Sequence, residues 1–330
     1  MAPQPHGPRR ALSPGRLRRT LLAALVTAAL AVPVAGAARP ADVPAPAPAP
    51  AAPLASASSG ELAARYAAGR DAVRAAERSA EEYGARKRAA ALHAMAGPGR
   101  RFLTFDGRDG GRSAEVVGDL AGADRIAVLV PGADTDLDRY ARFRSGAVAL
   151  RDELRDAHGA RAAVVAWLGY RTPATGSTAS LTPGRADQSA PALRAFVAEL
   201  RAARPGARIT LVCHSYGSVV CARAAEGTPA DALVLYGSPG TGSDTAADLH
   251  TPAAVWAGRG AADWIADVPH VRLPLPAGSE LGFGTDPLDP AYGARTFDAG
   301  PGGHSDYLVP GSTALANIAR IADGQEPRHA

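Results

Sequence analysis

Acidic residues are missing from the first 37 positions of this 330-residue chain, although five arginines lie there. These are Arg9, Arg10, Arg16, Arg18 and Arg19. The whole chain has 36 Lys and Arg against 32 Asp and Glu, a net charge of +4. Without the five arginines, 31 basic residues remain against the same 32 acidic ones. The basic excess therefore belongs to the N-terminus and does not indicate a nucleic-acid-binding domain.

An apolar run, TLLAALVTAALAVPVAG, follows the arginines over residues 20–36. Small residues at Ala35 and Ala37 form an A-x-A cleavage site, so residues 1–37 have the three parts of a secretory signal peptide. A retained membrane anchor is the alternative, but the run is near the lower length limit for a span and contains Pro33. We therefore expect a secreted or cell-envelope-associated protein, with membrane contact only through this segment before cleavage.

Cysteine is almost absent, since the chain has only Cys213 and Cys221. With no cysteine near the cleavage site, the leader lacks the attachment point of a lipoprotein. The arginine pair before Thr-Leu-Leu resembles a twin-arginine signal, but ordinary signals contain such pairs too, so the export route stays open. Export permits a disulfide between the two cysteines. Two separate, small buried side chains are an equally good interpretation.

The region after the leader changes composition twice. Residues 38–59 alternate proline and alanine before turning to serine, which predicts an extended, disordered linker with too little apolar surface to pack. Residues 60–97 are rich in Ala, Arg and Glu, with apolar residues at roughly helical spacing. This pattern predicts a helical extension. We expect it to pack on the main domain, and a separate binding module is the alternative.

Strand and helix signals alternate from residue 98 to residue 325. After an antiparallel pair, RFLTFD and SAEVVGDL, the strand-like runs are RIAVLV (125–130), AAVVAWL (162–168), ITLV (209–212), DALVLYGS (231–238), AAVWAG (253–258) and VRLPLP (271–276). Apolar strands separated by helices predict a mostly parallel central sheet with helices on both faces. No linker-like break divides this region, so we expect a single α/β domain.

A tight turn follows the run at 209–212, where the sequence reads Cys-His-Ser-Tyr-Gly around Ser215. The α/β-hydrolase fold places its nucleophile at such a strand-to-helix turn, usually written G-x-S-x-G, and small residues flank the serine because the turn is crowded. Here Gly217 is present and Cys213 replaces the first glycine. Ser215 is therefore the candidate nucleophile. A serine that only caps the following helix is the alternative.

In this fold the acid and then the histidine follow the serine along the chain. Asp263 lies a few residues after the run AAVWAG and is preferred to Asp267, which we expect at the surface. His304 lies in the glycine-rich stretch GPGGHSDYL before the final helix, where its imidazole could reach the serine. We expect His214 to point away from the turn and His270 to begin the last strand.

Two backbone N–H groups are candidates for an oxyanion hole. In this fold one comes from the loop after RIAVLV and the other from the residue after the nucleophile, which gives Ala133 and Tyr216. Gly132 would let the backbone approach a substrate carbonyl closely. Aspartates at 134, 136 and 138 superficially match a calcium loop, but its glycine and final glutamate are absent. We expect these acids to start a helix, and we expect no metal or organic cofactor.

Several motifs occur in combination: VLVPGADTDLDRY, LGYRTP, CHSYGS, YGSPG, GFGTDP with YGAR, and GHSDYL. Together they resemble the actinobacterial α/β-hydrolase family long catalogued as a domain of unknown function. The resemblance covers about residues 100–320 and departs from the family at Cys213, where glycine is common. It implies the α/β-hydrolase fold and supports Ser215 and His304, with Asp263 at the position of the acid. It implies no substrate.

The segments expected around the site differ in length. Residues 239–252 leave no room for a helical cap domain. The irregular segment 276–303 either borders the site with Phe283, Tyr292 and Phe297 or packs as a surface loop. Residues 168–180 are a second expected rim loop. These lengths predict an open site.

The sequence therefore predicts an exported, esterase-like serine hydrolase that acts through a Ser-His-Asp triad on a small-molecule or envelope acyl substrate. It predicts no nucleic-acid partner. A cell-envelope acyltransferase with the same triad is one alternative, to be separated by product analysis with an added acceptor. A non-catalytic, hydrolase-like binding protein is the other. Substrate identity and oligomeric state do not follow from the sequence.

Overall fold

The computed structural model describes residues 42–50, 52–275 and 280–328. The helices and strands of the described ranges belong to one compact unit, which begins at residue 43. The predicted signal peptide, residues 1–37, lies outside the described residues. Across the described ranges, no helix is long and apolar enough to cross a membrane.

The secondary structure alternates between helices and strands. The helices are α1 (Ser59–Glu82), α2 (Arg86–Met95), α3 (Tyr140–Asp156), α4 (Gly184–Ala203), α5 (Tyr216–Ala224) and α6 (Thr313–Asp323). The strands are β1 (Phe102–Asp106), β2 (Arg112–Gly118), β3 (Arg125–Val130), β4 (Ala162–Leu168), β5 (Arg208–His214), β6 (Ala232–Tyr236), β7 (Ala254–Gly258), β8 (Arg272–Pro274), β9 (Glu280–Gly282) and β10 (Arg295–Thr296).

Eight of these strands form the central sheet, in the order β1-β2-β4-β3-β5-β6-β7-β10. The pairs β1–β2 and β2–β4 are antiparallel, and the remaining pairs are parallel. Successive side chains of a strand point to opposite faces, so on β4 Val165 packs with α4 and α5 while Val164 packs with α3 and α6. The predicted fold class, a mostly parallel sheet covered by helices on both faces, is confirmed.

One predicted strand, VRLPLP, does not join the central sheet. Its residues form β8, which pairs only with β9 in a separate two-stranded hairpin. Proline has no N–H to donate to a sheet, and Pro274 lies within this strand. The edge next to β7 is instead occupied by β10, at Arg295 and Thr296. The expectation that His270 begins the last strand of the sheet was therefore wrong.

The Pro/Ala-rich segment is packed over part of its length. Its described residues before Ser59 contain no helix or strand, but Leu54 and Ala57 are buried in the core. The N–H of Leu54 donates to Oε1 of Glu199 on α4 at 2.6 Å. The expectation of a disordered linker is therefore wrong for the residues just before α1. A few apolar side chains, here Leu54 and Ala57, are enough to pack an extended chain against the core of the domain.

The carboxyl ends of the parallel strands bring the candidate residues to one edge of the sheet. Ala133 follows β3, Ser215 follows β5, Asp263 follows β7 and His304 follows β10. In open α/β sheets this edge is where ligands bind.

Candidate active site

Ser215 lies in a strained backbone conformation at the turn between β5 and α5. Its φ is +51° and its ψ is −124°, a region that few residues other than glycine occupy. Gly217 keeps the turn tight, because a Cβ there would lie 2.6 Å from the carbonyl oxygens of Val130 and Pro131. The N–H of Ser215 donates to the carbonyl oxygen of Tyr236 at 3.0 Å, which ties the turn to β6.

Cys213, at the first glycine position of the motif, forms a disulfide with Cys221. Cys213 belongs to β5 and Cys221 to α5, and both side chains are fully buried. The helix turns back beside the strand, so the two Cα atoms are 6.5 Å apart, within the usual range for a disulfide. The bond therefore joins the strand before Ser215 to the helix after it, and resolves the alternative that the sequence left open.

The side chains of Ser215, His304 and Asp263 form a continuous series of hydrogen bonds. Nε2 of His304 lies 3.0 Å from Oγ of Ser215. Nδ1 lies 2.8 Å from Oδ1 and 3.0 Å from Oδ2 of Asp263. A carboxylate beside Nδ1 favours the tautomer with its proton there, so the serine hydroxyl donates to Nε2. In this arrangement the imidazole can remove the serine proton.

Asp263 is buried and accepts further hydrogen bonds. The hydroxyl of Tyr307 donates to Oδ2, and the N–H of Ile265 donates to Oδ1 at 2.9 Å. Burial would raise the pKa of Asp263, but the hydrogen bonds to its carboxylate outweigh burial and leave the pKa below the ordinary 3.8. The group is therefore charged at neutral pH and can stabilise a protonated His304.

Tyr307 is a residue of this site that the sequence analysis missed. Burial, followed by the hydrogen bond to Asp263, raises the pKa of its hydroxyl, so it stays a donor. The same oxygen accepts the N–H of Gly260 at 3.1 Å, which ties the loop after β7 to the segment that contains His304. The motif GHSDYL contained the signal, since Tyr307 follows His304 by three residues.

His214 is a second residue that sequence reasoning did not place in the site. As expected, its side chain does not point to the serine; Nε2 donates to the carbonyl oxygen of His304 at 2.8 Å. The two imidazole rings lie 4.7 Å apart, and the ring of Tyr236 packs on His214 at 5.0 Å. Burial, aided by the nearby His304, lowers the pKa of His214 to about 3. A neutral donor therefore holds the backbone of His304.

The two candidate oxyanion donors lie on either side of Ser215. A Cβ at Gly132 would lie 2.8 Å from the Cβ of Ser215, so the loop that contains Ala133 runs directly against the serine. The N–H of Tyr216 is at the first position of α5, where no intrahelical acceptor exists. Among the described residues, neither N–H has a hydrogen-bond acceptor. Both groups are thus free to bind a substrate oxygen.

The loop after β3 is held in place by the expected rim segment 168–180. The hydroxyl of Tyr170 donates to the carbonyl oxygen of Pro131 at 2.6 Å. The N–H of Asp134, a residue with φ of +58°, donates to the carbonyl oxygen of Pro173 at 3.0 Å. These contacts explain the motif LGYRTP, because its residues position the loop that contains Ala133.

The other candidates of the sequence analysis lie elsewhere. Asp267 ends a short 3₁₀ helix at Trp264–Asp267 and is exposed, and Nε2 of His270 faces Asp286 at 3.8 Å. Asp136 caps a 3₁₀ helix at Leu137–Arg139 just before α3 and Asp138 lies within it, as predicted, whereas Asp134 belongs to the preceding loop with φ of +58°. Within the described residues, no group of three or more His, Cys, Asp or Glu side chains could hold a metal ion.

The aromatic residues around the site differ from those expected. Phe283, Tyr292 and Phe297 are all buried. Of these, Phe283 packs edge-on to Tyr216, the residue after the serine, with ring centroids 5.7 Å apart. The exposed aromatic is Trp264, whose ring lies 4.7 Å from the ring of His304 while 49% of the residue remains accessible to solvent. In residues 280–303 these three rings therefore pack into the protein, and Phe283 reaches the residue after the serine.

The fold and this site at the carboxyl edge of the sheet define the α/β-hydrolase class. A family model described as "Alpha/beta hydrolase" matches residues 106–273. The chain belongs to this family, as the motifs indicated. Uncharacterized proteins of Mycobacterium tuberculosis and Mycobacterium bovis are 33% identical over 168 residues, which is 47% of this chain. The match spans 63% of the length of those relatives.

Solved structures with similar folds include serine hydrolases and esterases. A lidless serine hydrolase of Xanthomonas campestris has a TM-score of 0.44 and 20% identity, covering 71% of this chain and 98% of its own. An esterase of Pyrococcus furiosus has a TM-score of 0.44 and 13% identity, covering 68% of this chain and 92% of its own.

Proposed function

We propose that this chain is an exported serine hydrolase that cleaves an ester or a related acyl bond through an acyl-enzyme. The observation that carries the proposal is the unbroken hydrogen-bond series from Ser215 Oγ through His304 to Asp263, with the serine at a positive φ. A serine that merely capped α5 would need neither the histidine nor the strained backbone. Its side chain accepts no N–H from the helix, which favours the nucleophile over the capping alternative.

In the proposed reaction, Ser215 Oγ attacks the substrate carbonyl carbon while His304 Nε2 takes the serine proton. The N–H groups of Ala133 and Tyr216 donate to the oxyanion that forms. When the tetrahedral intermediate collapses, the ester C–O bond breaks and the leaving alkoxide takes the proton from His304. Water then attacks the acyl-enzyme by the same route, with its proton passing through His304, and releases the acid and free Ser215.

Export is supported by the leader and by the cysteines. The first 37 residues combine five arginines, an apolar run and an A-x-A site. The bond between Cys213 and Cys221 is of the kind that persists in oxidising compartments outside the cytoplasm. We propose a secreted or envelope-associated location, with an acyl substrate from that environment.

A fluorophosphonate probe tests the activated serine. We expect the mature protein to be labelled on Ser215, and we expect no labelling of Ser215→Ala or His304→Ala. Asp263→Asn keeps the shape but removes the charge that selects the tautomer, so its labelling rate should fall by about 10³- to 10⁴-fold. Full labelling of His304→Ala, or no labelling of folded wild-type protein, would contradict the mechanism.

A further inference from the structure

The disulfide between Cys213 and Cys221 encloses the candidate nucleophile. The two cysteines are eight residues apart, and Ser215 lies between them with its positive φ. Backbone strain of this kind persists only where the surrounding structure enforces it. Ser218 tightens the same segment: its hydroxyl donates to the carbonyl oxygen of Cys213 at 3.1 Å, and its N–H donates to that of Ser215 at 2.9 Å. The disulfide is therefore part of the turn that holds the serine.

One end of the disulfide lies on a strand that has partners on both sides. In the central sheet, Cys213 of β5 is opposite Val130 of β3 and Leu235 of β6. Its side chain is fully buried. A shift of β5 would disturb the backbone hydrogen bonds of two strand pairs at once, and buried backbone groups without partners are costly. The sheet therefore fixes the position of this cysteine.

The other end of the disulfide lies on the helix that begins at the candidate site. Helix α5 packs against β5 and starts at Tyr216, whose N–H is a candidate oxyanion donor. Cys221 of this helix is also fully buried, in the core cluster on the same face of the sheet as Cys213. A displacement of α5 relative to β5 must be absorbed by the turn between them, which contains Ser215 and Tyr216.

Two free thiols need more room than a disulfide, because unbonded sulfur atoms cannot approach each other as closely as bonded ones. Protein cores are close-packed, and extra volume in them forces side chains and backbone to shift. Since the sheet fixes Cys213, the shift in the reduced chain falls on α5. Asp263 and His304 follow β7 and β10 and do not belong to this helix. The distance of 3.0 Å between Ser215 Oγ and His304 Nε2 therefore depends on the disulfide.

We propose that the oxidation state of Cys213 and Cys221 switches the activity of Ser215, so that the serine is positioned for attack only when the disulfide is present. This inference rests on the proposed function and adds its regulation. Oxidation takes two protons and two electrons from the thiols, and a second disulfide accepts them as it becomes two thiols. The cytoplasm keeps thiols reduced. Export therefore activates the hydrolase in the compartment of its proposed substrate.

Both states can be prepared from one sample of the mature protein, which has no other cysteine. The protein is refolded from urea with either a phosphine reductant or oxidised glutathione, and alkylation in urea counts the free thiols. We expect a fluorophosphonate probe to label the reduced state about 10- to 100-fold more slowly, since misplacing a reacting group by about 1 Å costs up to about 100-fold. The double variant Cys213→Ala, Cys221→Ala has no thiols and should be labelled at one rate under both conditions.

Equal labelling rates of the two states would keep the hydrolase and overturn the switch. A reduced chain that circular dichroism shows to be unfolded would also overturn it, because the disulfide would then control folding rather than the turn. Hydrogen exchange of the peptide that contains Tyr216 and Gly217 gives a readout independent of activity. If the folded, oxidised state is not labelled, the hydrolase is contradicted; faster exchange in the reduced state would then still support the displacement of α5, and equal exchange would contradict it.

Discussion

At the scale of single residues, two adjacent side chains at the turn between β5 and α5 make different contacts. Ser215 supplies the hydroxyl, while His214 turns to the other side and donates to the carbonyl oxygen of His304. Tyr307 acts in the same way on Asp263. These two bonds constrain the backbone of His304 and the carboxylate of Asp263, so that the imidazole of His304 keeps one orientation between Ser215 and Asp263.

The neutral state of His214 in the folded chain predicts acid-sensitive stability. As the pH falls below 6.5 the unfolded chain binds a proton at this residue, whereas the folded chain does so only near pH 3. The free energy of unfolding should therefore decrease as the pH falls through this window, by at most about 1.4 kcal/mol per pH unit from this group. His214→Gln keeps a donor for His304 but does not titrate, so urea unfolding of this variant between pH 6.5 and 4 should show a smaller decrease.

His93→Gln controls for the exchange of histidine for glutamine: the side chain of His93 on α2 is 82% exposed, with its Nδ1 2.7 Å from Oε1 of Glu77. We expect the decrease in its stability over this pH range to be no smaller than that of the wild type. An identical pH dependence of His214→Gln and the wild type would show that His214 is not held neutral in the fold.

At the scale of elements, the strand patterns were predictable and the contacts among loops were not. The runs that form β3 to β7 were evident because buried parallel strands are continuously apolar. β10 has two residues, too few for a periodic signal, and β8 was assigned to the wrong sheet because its pairing depends on β9. The order Ser215, Asp263, His304 followed from the fold. The hydrogen bond of His214 joins it to His304, 90 residues further along the chain. A single sequence does not reveal a contact over that distance.

The disulfide between β5 and α5 gives a prediction at this scale. Closing the short loop from Cys213 to Cys221 should stabilise the fold by about 2.5 kcal/mol through the unfolded chain. The double variant Cys213→Ala, Cys221→Ala should have a free energy of unfolding lower by about this amount, and should therefore unfold at a lower urea concentration. A thiol reagent should not label the folded wild type, because Cys213 and Cys221 are joined in the disulfide. An unchanged urea midpoint in the double variant would contradict the stabilising role.

At the scale of the whole molecule, the chain before α1 is part of the domain's surface. Val43 and Ala45 pack with one core cluster, and Leu54 and Ala57 are buried in the other. The described residues 43–50 and 52–57 therefore extend from the cluster on one face of the sheet to the cluster on the other. A signal peptidase that cuts after Ala37 would leave this packed segment intact.

The proposed secretion predicts a defined mature N-terminus. When the full chain is expressed in an actinobacterial host, N-terminal sequencing of protein from the culture medium or envelope should begin at Ala38. Replacing Ala35 and Ala37 with bulky residues should block processing, because the peptidase requires small side chains there. A full-length product that keeps its leader in the wild type would instead support a membrane anchor.

The last helix determines how this protein could be fixed to a solid support. Asp323, at the end of α6, accepts a hydrogen bond from Arg125, the first residue of β3, and Gly324 lies beside Arg208, the first residue of β5. Ser215 follows the other end of β5, about 20 Å away at the rise of a strand. A tether joined after Gly324 would therefore orient Ser215 away from the support, with the carboxyl edge of the sheet open to solution.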